Sequence, residues 1–194
     1  DFITAGTGMD AFAHCLEAFS SPHYHPMSQG IALEGMRLVK ENLTVVYDDP
    51  ANLTGRAHMM SAAMMGATAF QKGLGAIHAL SHPIGAIYHT HHGTTNAVVM
   101  QAVMRFNRSE IEDRFVSAAR YLDIEGGFDG FYDFVGGLVT HLNIPKNLTD
   151  LGLRDLGNAD FDRIVAAALN DPSAGGNPRA LTAKNTRALL EACF

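Results

Sequence analysis

The sequence has little cysteine and no run of basic residues. Its two cysteines, Cys15 and Cys193, lie near opposite ends of the 194-residue chain and follow no motif spacing. This pattern disfavours a disulfide-stapled secreted domain and favours a reduced, cytoplasmic protein. The formal net charge is −6, and the chain has no Lys/Arg cluster with interleaved aromatic residues. We therefore expect no nucleic-acid partner.

Long apolar runs and strand patterns are also scarce. No segment is apolar over the length that a membrane span needs, and no signal peptide is visible, so we expect no membrane partner. Internal repeats and low-complexity tracts are missing as well. The 194 residues are 47% hydrophobic and 18% charged, which is typical of one ordinary globular domain.

Apolar periodicity predicts helices through most of the chain. They span residues 7–20, 27–47, 51–70, 75–88, 93–106, 109–122, 128–142, 159–170 and 182–193. Turn-forming residues such as Asp49-Pro50 separate them, and Ser109 is a candidate cap that begins the sixth helix. We predict an all-α fold, a multi-helix bundle forming one domain over residues 1–194.

Two short segments, GMDAFAH and HALSHPIGAIYHTHHG, carry residues typical of a metal site. Asp10 and His14 are four residues apart, as are His78 and His82. Each pair therefore shares one face of a helix and can reach a common ion. A carboxylate with neutral imidazoles suits Fe(II) or Zn(II), whereas calcium and magnesium sites are built from oxygen ligands.

His92 follows ten residues after His82 and is a fifth candidate. Taken singly, such an Asp is often a helix cap and such a His is usually a core residue, but the set of five favours a metal site. Between Lys72 and Arg105 there is no Asp, Glu, Lys or Arg, yet five histidines occur. We expect this segment to be largely buried, with its polarity concentrated in imidazoles.

The segments TAGTGMDAFAHCLEAF and GLGAIHALSHPIGAIYHTHHGTTNAVVM closely resemble the C-terminal half of the iron-containing (group III) alcohol dehydrogenases. The resemblance covers essentially the whole chain. It implies that Asp10, His14, His78 and His92 hold the metal. It also implies that His82 is a catalytic residue that lines the substrate side and helps to relay the alcohol proton.

The resemblance implies a metal-dependent, NAD(P)-linked alcohol dehydrogenase or aldehyde reductase that acts on a small molecule. In that chemistry Fe(II) or Zn(II) polarises the alcohol or carbonyl oxygen, and NAD or NADP carries the hydride. The nicotinamide cofactor would be bound by an N-terminal α/β domain, for which we find no segment here. Gly73 and Gly75 lack the third glycine and the downstream acidic residue of a dinucleotide fingerprint.

No cofactor-binding residue is therefore assigned within these 194 residues. We expect the chain alone to bind metal without dehydrogenase activity. Coupling to an α/β domain also predicts an exposed apolar face, and with it a homo-oligomer.

Phe70 and Lys72 precede the ligand-bearing helix and are predicted to line the substrate pocket. A lysine there would pair with a carboxylate or phosphonate, which suggests a semialdehyde or hydroxy acid as substrate. The alternative, a lysine that extends to solvent at a helix start, is equally compatible with the sequence.

Three other functions remain open. The zinc-dependent glycerol dehydrogenases and the dehydroquinate synthases share the architecture, but their motifs differ. A metal-dependent hydrolase would need a general base, and Asp10 is the sole carboxylate within the motif segments. A helical domain with a purely structural metal would be expected to have a closed, cysteine-rich site.

Overall fold

The computed structural model describes residues 1–194 and contains helices and no strands. The helices are α1 (Phe2–Ser20), α2 (Pro26–Asp48), α3 (Leu53–Ala69), α4 (Ala76–Tyr88), α5 (His92–Tyr121), α6 (Gly127–His141), α7 (Asn158–Asn170) and α8 (Ala183–Glu191). Two 3₁₀ turns lie at Phe70–Lys72 and Pro172–Gly176. The all-α prediction is confirmed, and no helix is long and apolar enough to cross a membrane.

Helix α1 is the central element of the fold. It packs against α2, α3 and α5, and the consecutive residues Ala11, Phe12 and Ala13, which point to different sides of the helix, are all buried. A helix that is apolar around most of its circumference belongs in a core. One hydrophobic cluster of 45 buried residues includes side chains from all eight helices, so the whole chain shares one core.

Helix α5 corrects the predicted helix boundaries. We predict two helices, 93–106 and 109–122, but the structure has a single helix of 30 residues. Asn107 and Asn177 bind each other through their amides, at 2.9 and 2.8 Å. The Asn107 side chain thus has a distant partner and does not compete with the helix backbone, as such residues do where a helix ends. Ser109 lies within the helix and does not cap it.

Close packing of α1 against the start of α5 depends on glycine. A side chain at Gly93 would overlap the backbone of Gly6 and approach the Cβ atom of Asp10. Because Gly6 and Gly93 have no side chains, the first turn of α5, which carries His92, can lie next to the middle of α1. Helix α1 begins at Phe2 and not at residue 7, so Gly6 lies inside the helix, where it serves packing.

The C-terminal part of the chain covers α4. Helix α7 and the 3₁₀ turn Pro172–Gly176 both pack on α4. The first backbone N–H groups of α4 have no cap from the residue before it; instead Ala76 donates to Asn177 at 3.1 Å and Ile77 donates to Glu17 at 2.7 Å. Tertiary contacts therefore fix where the ligand-bearing helix begins.

An open groove lies between α1, α2 and α3. Ile3 and Met60 border this groove, which has a volume of about 330 Å³, and each of these side chains is 69% exposed. This is an exposed apolar surface of the kind that the sequence predicts. Homo-oligomer formation stays a prediction.

Candidate metal centre

The four predicted metal ligands converge in the structure. Helix α1 provides Asp10 and His14, α4 provides His78, and the first residue of α5 is His92. Ligand atoms of Asp10, His14 and His78 all lie within 4.8 Å of one another. His92 is outside that group of three, but its Nε2 lies 3.3 Å from Asp10 Oδ1, which brings the fourth residue beside the same carboxylate. The i,i+4 spacing in α1 places both of its ligands on one face, as predicted.

The Asp10 carboxylate lies among imidazoles. Burial on its own raises the pKa of Asp10, but its interactions with His78 and His92 outweigh burial and hold that pKa well below its usual range. Asp10 is therefore an anion at neutral pH. It supplies the negative charge that a divalent cation needs in a partly buried site.

Asn96 tests whether these residues fit a cation. Its amide nitrogen donates to Asp10 Oδ1 at 2.7 Å and lies 3.2 Å from His78 Nε2 and 3.1 Å from His92 Nε2. With both Nε2 atoms deprotonated, as metal binding requires, three acceptors surround one amide group that has only two protons. The amide oxygen of Asn96 is buried without a partner. Such a surplus of lone pairs at one point is what a divalent cation satisfies, so the residues present fit Fe(II) or Zn(II).

The imidazoles of His14 and His78 differ in charge. Burial, reinforced by the charge on His78, lowers the pKa of His14 despite the nearby Asp10, which favours the neutral form that binds metals. Burial also lowers the pKa of His78, but interactions with Asp10 and Glu17 outweigh it and raise that pKa to about 9. The centre therefore holds an extra proton at His78, for which a metal ion would compete.

Glu17 supports His78 from behind. It is 4% exposed, its Oε2 lies 2.5 Å from His78 Nδ1, and its Oε1 accepts the backbone N–H of Ile77 at 2.7 Å. A carboxylate can only accept, so Nδ1 carries the proton and Nε2 faces the centre. Sequence reasoning missed Glu17. A signal was available, because Glu17 is three residues after His14, on the same face of an otherwise apolar helix.

His82 lies at the rim of the centre. Its ring stacks on His92, with centroids 5.4 Å apart, and meets the edge of His78 at 5.5 Å. Its Nδ1 is 2.8 Å from Asp171 Oδ2. The side chain is 42% exposed. This position borders the four candidate ligands, and the role of His82 outside the ligand set stays a prediction.

The two predicted pocket residues separate in the structure. The ring of Phe70 is 5.4 Å from that of His14 and is partly exposed, so Phe70 borders the centre. Lys72 is 3% exposed and its ammonium donates to the carbonyl of Phe19 at 3.2 Å. That carbonyl is five residues beyond His14, or about 7.5 Å along α1. Lys72 is thus neither exposed to solvent nor in contact with the four ligands.

One carboxylate and three imidazoles on an all-helical scaffold define the class of this protein, a helical domain with a candidate metal centre. Residues 4–194 match the C-terminal domain of the Fe-containing alcohol dehydrogenase family. The chain therefore belongs to that family. This agrees with the family that the motif segments predict.

Individual relatives support the same assignment. The chain is 39% identical to the 4-hydroxybutyrate dehydrogenase of Cupriavidus necator over 97% of this chain and 51% of that protein. It is 31% identical to the 1,3-propanediol dehydrogenase of Citrobacter freundii over 99% of this chain and 51% of that protein. A crystal structure of a 1,3-propanediol oxidoreductase superposes with a TM-score of 0.91, at 30% identity, over 98% of this chain and 51% of that chain. The chain spans about half the length of the relatives it matches.

Proposed function

We propose that this chain is the metal-binding half of an NAD(P)-linked alcohol dehydrogenase or aldehyde reductase. The observation that carries the proposal is the grouping of Asp10, His14 and His78, with His92 beside the Asp10 carboxylate. Family membership supports it independently, because the named relatives are dehydrogenases.

The bound metal would supply Lewis acidity to an alcohol or carbonyl oxygen, and the nicotinamide would carry the hydride. The chain's own residues hold the cation and orient the substrate. Asp10 and the three imidazoles bind the cation. Phe70 forms an apolar wall beside His14. His82, at the exposed rim, is the group placed to exchange a proton with substrate or solvent.

We propose a short primary alcohol, or the corresponding aldehyde, as substrate class. The relatives named above act on 4-hydroxybutyrate and on 1,3-propanediol, which share a terminal hydroxyl group on a short chain. A contact between Lys72 and a substrate carboxylate would require its ammonium to leave the Phe19 carbonyl. Lys72→Met tests this: a rise in KM for 4-hydroxybutyrate alone would support the contact, and an equal effect on 1,3-propanediol would contradict it.

Metal loading tests the site directly. The protein is purified anaerobically, loaded with Fe(II) or Zn(II), and its bound metal is measured by mass spectrometry beside Asp10→Ala, His78→Ala and His92→Ala. We expect about one ion per chain in the parent and a sharp loss in each variant. His141→Ala is the matched control, because His141 pairs with Asp48 at the surface. Unchanged metal content in the three variants would contradict the site.

Activity requires the nicotinamide-binding half. We expect residues 1–194 alone to bind metal without oxidising an alcohol. Joined to the N-terminal half of the Cupriavidus necator relative and loaded with metal, they should support alcohol-dependent reduction of NAD or NADP. A joined protein that is folded and metal-loaded but inactive towards 4-hydroxybutyrate and short diols would contradict the proposed activity.

A further inference from the structure

A further carboxylate, that of Asp171, contacts the imidazole of His82 at the rim of the centre. Asp171 ends α7 and precedes the 3₁₀ turn Pro172–Gly176, which packs on α4. Its Oδ2 is 2.8 Å from His82 Nδ1, and its Oδ1 accepts the backbone N–H of Ser173 at 2.8 Å. The Asp171 side chain is only 11% exposed. Both of its oxygens are therefore used, one by the backbone and one by His82.

This contact decides which nitrogen of His82 carries the proton. A carboxylate can only accept a hydrogen bond, so the neutral ring must donate from Nδ1. Nε2 then keeps a free lone pair, and it has no hydrogen-bond partner in the structure. The ring stacks on His92 with an interplanar angle of 15°, which limits its rotation. His82 thus presents an unpaired acceptor beside the four metal ligands.

We propose that Asp171 is a positioning residue, which fixes the tautomer and orientation of His82 so that Nε2 accepts the hydroxyl proton of the substrate. This inference rests on the proposed dehydrogenase function. As the alcohol O–H bond breaks, an N–H bond forms at Nε2. Bound NAD(P)⁺ would be the two-electron oxidant that accepts hydride from the carbinol carbon, which would become the carbonyl carbon. The Asp171 carboxylate faces the imidazolium that results and stabilises it.

A second His–Asp pair in the chain serves as an internal comparison. His141 Nε2 is bound to Asp48 at 2.9 Å, and the Asp48 side chain is 60% exposed. That pair uses the opposite ring nitrogen and lies apart from the metal ligands. It provides a control in which an Asp–His contact is lost without any change at the centre.

Substitution of Asp171 by Asn gives a sharp test, because Asn has one oxygen and one amino group. The backbone N–H of Ser173 requires the oxygen, so the amino group turns towards His82 Nδ1. Nδ1 must then accept, and the proton moves to Nε2. Asp171→Asn keeps the backbone contact while reversing the His82 tautomer. Asp171→Ala removes both contacts and is a second variant.

The experiment is long-range ¹H–¹⁵N NMR of the ¹⁵N-labelled, zinc-loaded protein, with the His82 signals assigned by their loss in His82→Gln. We expect the Nδ1–H tautomer of His82 in the parent, the Nε2–H tautomer in Asp171→Asn, and a mixture in Asp171→Ala. Asp48→Asn should change only the His141 signals. An Nε2–H tautomer in the parent, or a His82 tautomer unaffected by either Asp171 variant, would overturn the inference.

Kinetics separates this inference from the proposed function. In the joined protein, Asp171→Asn should lower kcat at least roughly 100-fold with little change in KM, since proton transfer is lost while binding is kept. Asp48→Asn should leave both constants unchanged. An inactive parent would contradict the proposed function and leave the NMR result standing. A fully active Asp171→Asn would overturn the positioning role.

Discussion

The substitution Glu17→Gln should weaken metal binding and leave the fold intact. Glu17 is buried at the contact of α1 with α4, where one oxygen accepts the N–H of Ile77 and the other faces His78 Nδ1. Gln has the same shape, and its oxygen can keep the contact with Ile77. Its amino group then points at Nδ1, so the proton of neutral His78 moves to Nε2. A protonated Nε2 cannot bind a metal.

The size of the effect follows from the site. Loss of an outer carboxylate from a ligating histidine typically weakens metal binding by about 10–100-fold. At a free zinc concentration about 1,000 times the parent Kd, zinc stabilises the parent by about 4.1 kcal/mol. The same zinc concentration would stabilise Glu17→Gln by only about 2.7 to 1.4 kcal/mol. For a chain of this size the zinc-induced rise in Tm should therefore be smaller by about 3–11 °C.

Competition with a chromophoric chelator gives the zinc Kd, and thermal unfolding with and without zinc gives the stabilisation. Glu34→Gln is the matched control, because Glu34 pairs with Arg37 on the surface of α2. Glu17→Ala is the contrast: it leaves the N–H of Ile77 unpaired and should lower stability by about 1–3 kcal/mol even without zinc. Zinc binding by Glu17→Gln as tight as in the parent would refute the role assigned to Glu17.

Four further predictions concern neighbouring residues. Zinc binding at pH 7 should release about one proton, because the pKa of His78 is raised to about 9; calorimetry in buffers of different ionisation enthalpy measures it. Asn96→Ala should lower the free energy of unfolding by about 1–3 kcal/mol without zinc and by less with zinc, as urea titrations would show. Burial and Arg114 lower the pKa of Lys72 to about 8 from 10.5. Between pH 8 and pH 10.5 the unfolded chain binds more protons than the folded chain. The free energy of unfolding should therefore rise with pH by up to about 1.4 kcal/mol per pH unit, and Lys72→Met should abolish this rise in urea titrations. A double-mutant cycle on the amide pair that Asn107 forms across the fold should give a coupling of about 0.5–3 kcal/mol.

Apolar periodicity was sufficient to predict the helices, because α1 and its neighbours bury wide apolar faces. It failed at the middle of α5, where Asn107 and Arg108 have the composition of a helix end. Their partners, Asn177 and Asp129, come from later segments. A local pattern cannot reveal a polar residue that is satisfied by a distant one.

The same limit applies to the centre. Its four predicted ligands lie in two motif segments, and helical spacing relates only Asp10 to His14 among them. Glu17 and Asn96 could have been predicted from the sequence, since each lies three or four residues from a predicted ligand on its own helix. Asp171 was not, because 89 residues separate it from His82. Only the packing of the 3₁₀ turn on α4 brings the two together.

Glu17 and Asp171 each orient an imidazole in the same way. Each carboxylate gives one oxygen to a backbone N–H and the other to the Nδ1 of an imidazole. The backbone contact fixes the carboxylate more firmly than a flexible side chain would. The tautomers of His78 and His82 are then set by the fold and not by the ligand that arrives. Each ring is thereby held so that its neutral form carries the proton at Nδ1 and offers Nε2, which lowers the entropic cost of binding.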